Sequence, residues 1–240
     1  MPSGRSLLVG FGLLALAAGT YVLARESSMF AIRRVEIRGA DPRTAAAVRR
    51  ALSTLDGTSL LSLGRAEVAR RAQAVPSVIS ATYDRAFPHT LRVRIVEERP
   101  VAVLHRGDDP FLVSARARVI RALQANALLG LPRIWVPRTT DVSLGATLGG
   151  DPGAAVAALV PLHRFRLPVH VATARAVDGQ LFLQLRNGLE LRLGDIEDLP
   201  LKLTIARRIV PTLAPRAGTF LDLSVPERPV AGSENPQVGG

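Results

Sequence analysis

The stretch from Leu7 to Ala24, LLVGFGLLALAAGTYVLA, holds no charged residue across 18 positions, and Thr20 is its only strongly polar side chain. Such a segment has no polar face to offer water and must be covered or leave water. As a helix it would extend about 27 Å at ~1.5 Å per residue, close to the ~30 Å hydrocarbon core of a bilayer. Arg5 and the α-amino group flank one side, whereas Arg25 and Glu26 cancel on the other. That asymmetry predicts a cytoplasmic tail over residues 1–6, a transmembrane helix over 7–24 and an exported remainder. A cleaved signal peptide is the competing reading, since Ala15 to Gly19 is rich in small residues. The run exceeds the ~7–15 residues of a signal's apolar core, which favours a retained anchor. Within it, Gly10-Phe11-Gly12-Leu13-Leu14-Ala15 matches the dinucleotide fingerprint G-x-G-x-x-A. That motif needs a preceding strand and a following soluble helix, so the glycines are read as membrane-helix residues.

Beyond the apolar run, the order of elements reads strand, helix, helix, strand, strand. Ile32 to Arg38 alternates near its end, with Val35 and Ile37 on one face, and Gly39 closes it. Asp41-Pro42 is a helix-start signal, a capping carboxylate followed by proline in the first turn. Val48, Ala51, Leu52 and Leu55 recur at helical spacing until Asp56-Gly57. A second helix is predicted from Arg65 to Ala74, a strand from Val78 to Arg85 and a turn at Phe87-Pro88-His89. Leu91, Val93 and Ile95 then alternate with Arg92 and Arg94, giving a half-buried strand with a basic outer face.

These residues resemble a known family. The series Val35-x-Ile37-x-Gly39, Gly57-Thr58-Ser59-Leu60-Leu61, Val75-Pro76-x-Val78-x-x-Ala81, Arg85-x-Phe87-Pro88-x-Thr90-Leu91 and Glu97-Glu98-Arg99-Pro100-Val101-Ala102 is similar to the POTRA domain of the bacterial division family FtsQ/DivIB. Phe87 departs from the tryptophan that the family often carries before the proline, and an aromatic there can still pack. The resemblance implies a POTRA domain over 26–100 and a β domain over 101–231, with 232–240 as a disordered tail. The fold class is α+β, the second unit being a mixed-sheet β domain with flanking helices.

In that second unit, Val101 to His105, Phe111 to Val113, Arg118 to Ala122 and Arg133 to Val136 are predicted as short strands. Asp151-Pro152 opens a helix expected to reach Phe165. Val169 to Val177, Gln180 to Arg186 and Leu189 to Leu193 form a meander, joined by Asp178-Gly179 and Asn187-Gly188. Both dipeptides supply the positive φ angles of two-residue hairpins. Leu199, Leu203, Ala206 and Val210 make a helical stripe, with Lys202, Arg207 and Arg208 expected off it. Phe220 to Val225 is the final predicted strand, with Glu227 to Val230 as its continuation.

Composition removes several function classes. The chain has no cysteine, hence no disulfide, thiolate metal site or cysteine nucleophile. His89, His105, His163 and His170 lack metal-ligand spacing, and adjacent Glu97 and Glu98 would point to opposite faces of a strand. The loop Gly145 to Gly153 lacks the Lys-Ser/Thr ending of a P-loop, and no Gly-x-Ser-x-Gly elbow occurs. No cofactor, metal or small-molecule substrate is expected, and no enzyme. The net charge of +11 suggests an anionic partner. However, no basic run exceeds two residues, and the arginines are interleaved with Glu36, Glu67, Asp84, Glu97 and Glu98. A solvated arginine surface is favoured over nucleic-acid binding.

The expected function is that of a membrane-anchored scaffold at the division septum, single-pass, with its C-terminal domains outside the cytoplasm. Resemblance to the family implies FtsB- and FtsL-like partners, coupled to septal peptidoglycan synthesis by strand addition at the β-domain edge. Carried onto this sequence, the docking site is Phe220, Leu221, Asp222, Leu223, Ser224 and Val225, with Lys202 and Arg207 on the preceding helix. Ser224 is expected to present an edge N–H, and Pro226 and Pro229 to weaken pairing beyond Val225. The alternatives are a POTRA-bearing secretion or membrane-assembly factor, disfavoured because no long C-terminal barrel follows, and an exported enzyme, disfavoured by the missing motifs.

Overall fold

The computed structural model describes residues 10–19, 21, 28–124, 130–214 and 218–233. Residues 10–19 are helical, and Phe11, Leu13, Leu14 and Leu16 on this helix are all exposed. Among the described residues no helix is long and apolar enough to cross a membrane. The predicted span is therefore not established: positions 7–9, 20 and 22–24 lie outside the described residues, as do the predicted tail 1–6 and residues 234–240 of the predicted tail 232–240. The chain divides into two compact units, 1–97 and 98–240.

The first unit runs β1 (Arg34–Arg38), α1 (Pro42–Leu52), α2 (Arg65–Gln73), β2 (Val78–Ala86) and β3 (Thr90–Glu97). The sheet order is β1-β3-β2, with β1 parallel and β2 antiparallel to β3. Central β3 obeys the predicted alternation: Leu91, Val93 and Ile95 are buried against Val48 and Leu52 of α1 and Val68 and Ala72 of α2, while Arg92 and Arg94 face out. The Asp41 carboxylate caps α1 by accepting from the N–H groups of Arg43 and Thr44 at 2.7 and 2.8 Å. Gly39 has φ +81°, and a Cβ there would collide with the Ile95 carbonyl oxygen, so only glycine lets the β1–α1 turn lie against β3. Glu97 accepts from the Thr44 hydroxyl and the Asp41 N–H, which ties the end of β3 to the start of α1.

The second unit comprises β4 (Pro100–Arg106), β5 (Asp109–Ser114), β6 (Val119–Ala122), β7 (Arg133–Val136), α3 (Gly150–Leu159), β8 (Val171–Val177), β9 (Gln180–Leu185), β10 (Glu190–Gly194), α4 (Leu199–Ile209), β11 (Thr219–Asp222) and β12 (Val230–Ser233). They form a nine-stranded mixed sheet ordered β12-β11-β10-β9-β8-β7-β4-β5-β6. Pairing is parallel at β4–β7, β7–β8 and β10–β11. Leu181, Leu183, Leu185, Leu189, Leu191 and Leu193 are all buried in one core with Val156 and Leu159 of α3 and Leu199, Leu203 and Ala206 of α4. One face of the meander is covered, as its alternation predicts.

Three local expectations need correction. Asp178 and Gly179 both take positive φ, the two-residue turn that the sequence signals, but at Asn187-Gly188 only Gly188 does. There Leu185 N–H donates to Leu189 O at 2.8 Å and Gly188 N–H to Leu185 O at 3.0 Å, a three-residue loop with one left-handed residue. The helix predicted to reach Phe165 ends at Leu159 and tightens into a 3₁₀ turn over Val160–His163, where Pro161 can supply no N–H. Asp151 lies inside the first turn of α3, and its carboxylate instead accepts the N–H groups of Asp178 and Gly179 at 3.2 and 3.1 Å, holding the β8–β9 turn.

Candidate partner-binding edge

Sequence reading extends the last strand from Phe220 through Val225 toward Val230 as one free edge. The structure breaks it at Asp222. Arg228 N–H donates to Val225 O at 3.0 Å, closing a turn with Pro226 in its second position, where its fixed φ suits the bend. Pro229 follows directly, and the chain returns as β12, antiparallel to β11. Phe220, Leu221 and Asp222 therefore lie in an interior strand between β10 and β12. Ser224 offers no edge donor either. Its N–H and hydroxyl both meet the Asp222 carboxylate, at 2.9 and 2.6 Å. Leu223 is buried, and Val225 is exposed in the turn.

The open edge is β12, Val230–Ser233, which pairs with β11 alone among the described residues. Its backbone directions follow from one bond. Leu223 N–H donates to Arg192 O at 2.7 Å, so odd-numbered residues of this strand bond toward β10. Strand residues alternate in the direction of their amide groups, so Phe220 and Asp222 bond toward β12. Their partners are Gly232 and Val230. The N–H and C=O groups of Ala231 and Ser233 are thereby left on the open side.

The side chains beneath this edge are fixed by packing on the uncovered sheet face. Phe220 sits across from Glu190 and from Gly232. The Arg192 guanidinium stacks over its ring at 3.9 Å, and a Cβ at Gly232 would come within 2.7 Å of the ring's tip. The arrangement repeats two strands over, where Arg175 of β8 stacks on Phe182 of β9 at 3.9 Å. Glu190 joins the two, accepting from Arg175 and from Arg192, both at 3.0 Å. Burial pushes the Glu190 carboxyl pKa up, but the two guanidinium bonds outweigh it and hold the group below its ordinary value.

Lys202 is not a surface residue. At three positions past Leu199 it falls on the buried stripe of α4, and its ammonium reaches back to the Asp195 carboxylate at 2.9 Å and the Asp195 carbonyl at 3.1 Å. That bond from Lys202 lowers the Asp195 pKa. Lys202 is thus a strut under the β10–α4 connection, which removes it from any docking surface. Arg207 is exposed on α4 together with Arg208. The second unit's sequence boundary at residue 231 also moves, since Gly232 and Ser233 belong to β12.

Among the described residues, the sheets have four edge strands. β1 reads RVEIR, β2 VISATYDRA, β6 VIRA and β12 VAGS. Three of them carry charged side chains, the usual guard against unwanted pairing, and β12 carries none.

The first unit has the β-α-α-β-β order described above, and residues 30–98 match the family model for the FtsQ-type POTRA domain. The chain is 27% identical over 145 residues to the cell division protein FtsQ of Streptomyces venezuelae, covering 60% of this chain and 53% of that one. Against the FtsQ protein of Streptomyces bingchenggensis it is 28% identical over 166 residues, 67% of this chain and 62% of the relative.

Over these stretches the chain is similar to the FtsQ/DivIB family.

A shorter, higher match, 36% over 106 residues, is to the FtsQ protein of Mycobacterium leprae, of which it covers 29%. The chain therefore spans under two thirds of the length of these FtsQ relatives. The sequence pattern of the family leads to the last strands of the sheet. It does not distinguish β11 from β12, and the open-side backbone of Ala231 and Ser233 is missed. The signal was present: two prolines three residues apart mark a reversal, and Val230 to Ser233 is free of both proline and charge.

Proposed function

We propose that the protein is a non-enzymatic scaffold of the division machinery, anchored by residues 7–24, with its two units outside the cytoplasm at the septum. Support comes from the FtsQ-type POTRA match and from relatives named as cell division proteins. The anchor is supported by the helix at 10–19, on which Phe11, Leu13, Leu14 and Leu16 are exposed. The observation that carries the mode of action is the uncharged, proline-free edge of β12, which offers the N–H and C=O groups of Ala231 and Ser233. An FtsB-like partner, in complex with an FtsL-like one, adds a strand there and is coupled through it to septal peptidoglycan synthesis. Arg207 and Arg208 lie on the same unit's last helix and suit an acidic flank of that partner.

The test is localisation of a fluorescent fusion together with co-purification of the FtsB-like protein. A mid-cell band and a stable complex are expected. An even peripheral signal with no complex refutes the division role, and a mid-cell band without a complex refutes the partner.

A further inference from the structure

We propose that one end of the first unit, centred on Phe87, rests in the headgroup layer of the membrane that holds the anchor; this rests on the anchor reading above. The β1 and β3 starts and the β2 end meet there. Arg34 pairs with Thr90, Ala86 pairs with Thr90, and the N–H groups of Arg33 and Arg34 share the His89 carbonyl. Leu60 N–H donates to Phe30 O at 2.8 Å, bringing the chain entry to the same end.

A turn between two strands ordinarily carries small polar residues. This one carries Phe87, 54% exposed, with the Phe30 ring edge-on at 5.5 Å and Met29, 65% exposed, beside it in sequence. Arg33, Arg34, Arg65 and Arg85 stand at this end against Asp56 and Asp84. A recess of about 300 Å³ is lined by Arg65, Tyr83, Asp84, Arg85 and Phe87. Aromatic tips ringed by arginine suit the membrane interface, where the ring enters the headgroup layer and the cations meet anionic lipid.

Covalent reach selects the occupant. Five chain steps separate Ala24 from Met29, at most about 18 Å when fully extended. If Ala24 ends the span, this tip cannot leave the neighbourhood of the bilayer surface, whatever path the linker takes.

The absence of cysteine makes single-site labelling clean. The full chain is reconstituted into phosphatidylcholine–phosphatidylglycerol vesicles with an environment-sensitive fluorophore at Phe87→Cys. Met29→Cys serves as a second tip position, and Arg38→Cys, exposed at the far end of β1, as the control. Headgroup nitroxide lipids should quench both tip labels several-fold more than the control. Arg33→Glu with Arg65→Glu should cut that quenching about two-fold by removing the attraction to anionic lipid. If the protein floats with vesicles but the tip labels are quenched no more than the control, the tip contact is wrong and the anchor stands. A protein that fails to float sinks both. Tip labels that are shielded from water without lipid quenching point to a protein surface and also overturn the proposal.

Discussion

Ala231→Pro is the sharpest perturbation of the proposed edge. The substitution removes one outward N–H, and its ring stands where the facing strand's carbonyl would approach. The bonds that hold β12 to β11 run through Val230 and Gly232, so they are untouched, and Val230 already has the extended backbone that a following proline demands. Ala231 is exposed, so no core volume changes. Loss of one hydrogen bond is worth about 1 kcal/mol net, and displacing its neighbour costs a similar amount. A loss of about 2 kcal/mol weakens Kd about 30-fold. Titration calorimetry with the extracytoplasmic segment of the FtsB-like partner measures this, with thermal unfolding as the check on the fold. Gly232→Pro is the contrasting variant: it breaks the inward bond and crowds Phe220, so it should lower Tm as well as binding. If Ala231→Pro binds within about two-fold of wild type at unchanged Tm, the backbone directions or the docking edge are wrong, since the change is then within ordinary variation for surface substitutions.

Gly39→Ala should destabilise the first unit by more than about 2 kcal/mol, because it adds a left-handed alanine to a collision with backbone; urea unfolding would read it. Glu190→Gln should cost about 1 kcal/mol at neutral pH, a modest figure because the Arg175 side of the pair is half exposed and screened. The folded carboxyl pKa is depressed, so its stabilisation is complete above the ordinary carboxylate range and is lost as pH falls through the folded value. The gap between the two proteins should therefore close as pH falls below the ordinary carboxylate range; a gap that widens in acid refutes the pairing. Asp195→Ala should lower Tm more than Lys202→Met, since the first strands a buried ammonium on a single carbonyl and the second replaces it with an apolar chain of similar length. Equal losses would mean that Lys202 reaches water.

Elements whose periodicity is set by burial on one face were legible without coordinates. Leu91, Val93 and Ile95 declare β3, the paired leucines declare β9 and β10, and Asp41-Pro42 declares the start of α1. What escaped depends on pairing between distant segments. Lys202 looks like a surface lysine by type, yet its position on the Leu199–Ala206 stripe decides its burial, and its partner lies in the preceding loop. Asn187-Gly188 resembles Asp178-Gly179 as a dipeptide, but only the register of the flanking strands selects a two- or three-residue loop. The split of the last strand was hidden because Phe220 to Val225 has strand-like alternation throughout, and the Asp222–Ser224 turn uses side-chain bonds that periodicity does not register.

The composition of β12 and the stacking beneath it are one arrangement. Phe220 lies flat across the uncovered face because Arg192 holds it from one side, and that ring occupies the space into which a side chain at position 232 would project. A Cβ there would press on the tip of that ring, so glycine leaves the stack undisturbed. Gly232, with Ala231 and Ser233 on either side, leaves an edge whose amides stand clear of bulky groups. An edge strand of this kind is an aggregation hazard unless it is guarded or used, and the other three edge strands among the described residues are guarded by charge. Pro229 and Pro226 lie before the strand and shape the turn, so neither blocks it. The chain carries 30 arginines and a lysine, ample material for a gatekeeper, and places none in β12. An edge kept open under those conditions is best explained by a strand that pairs with it, and in the proposed scaffold that edge is Val230–Ser233, with Phe220–Asp222 held inside the sheet.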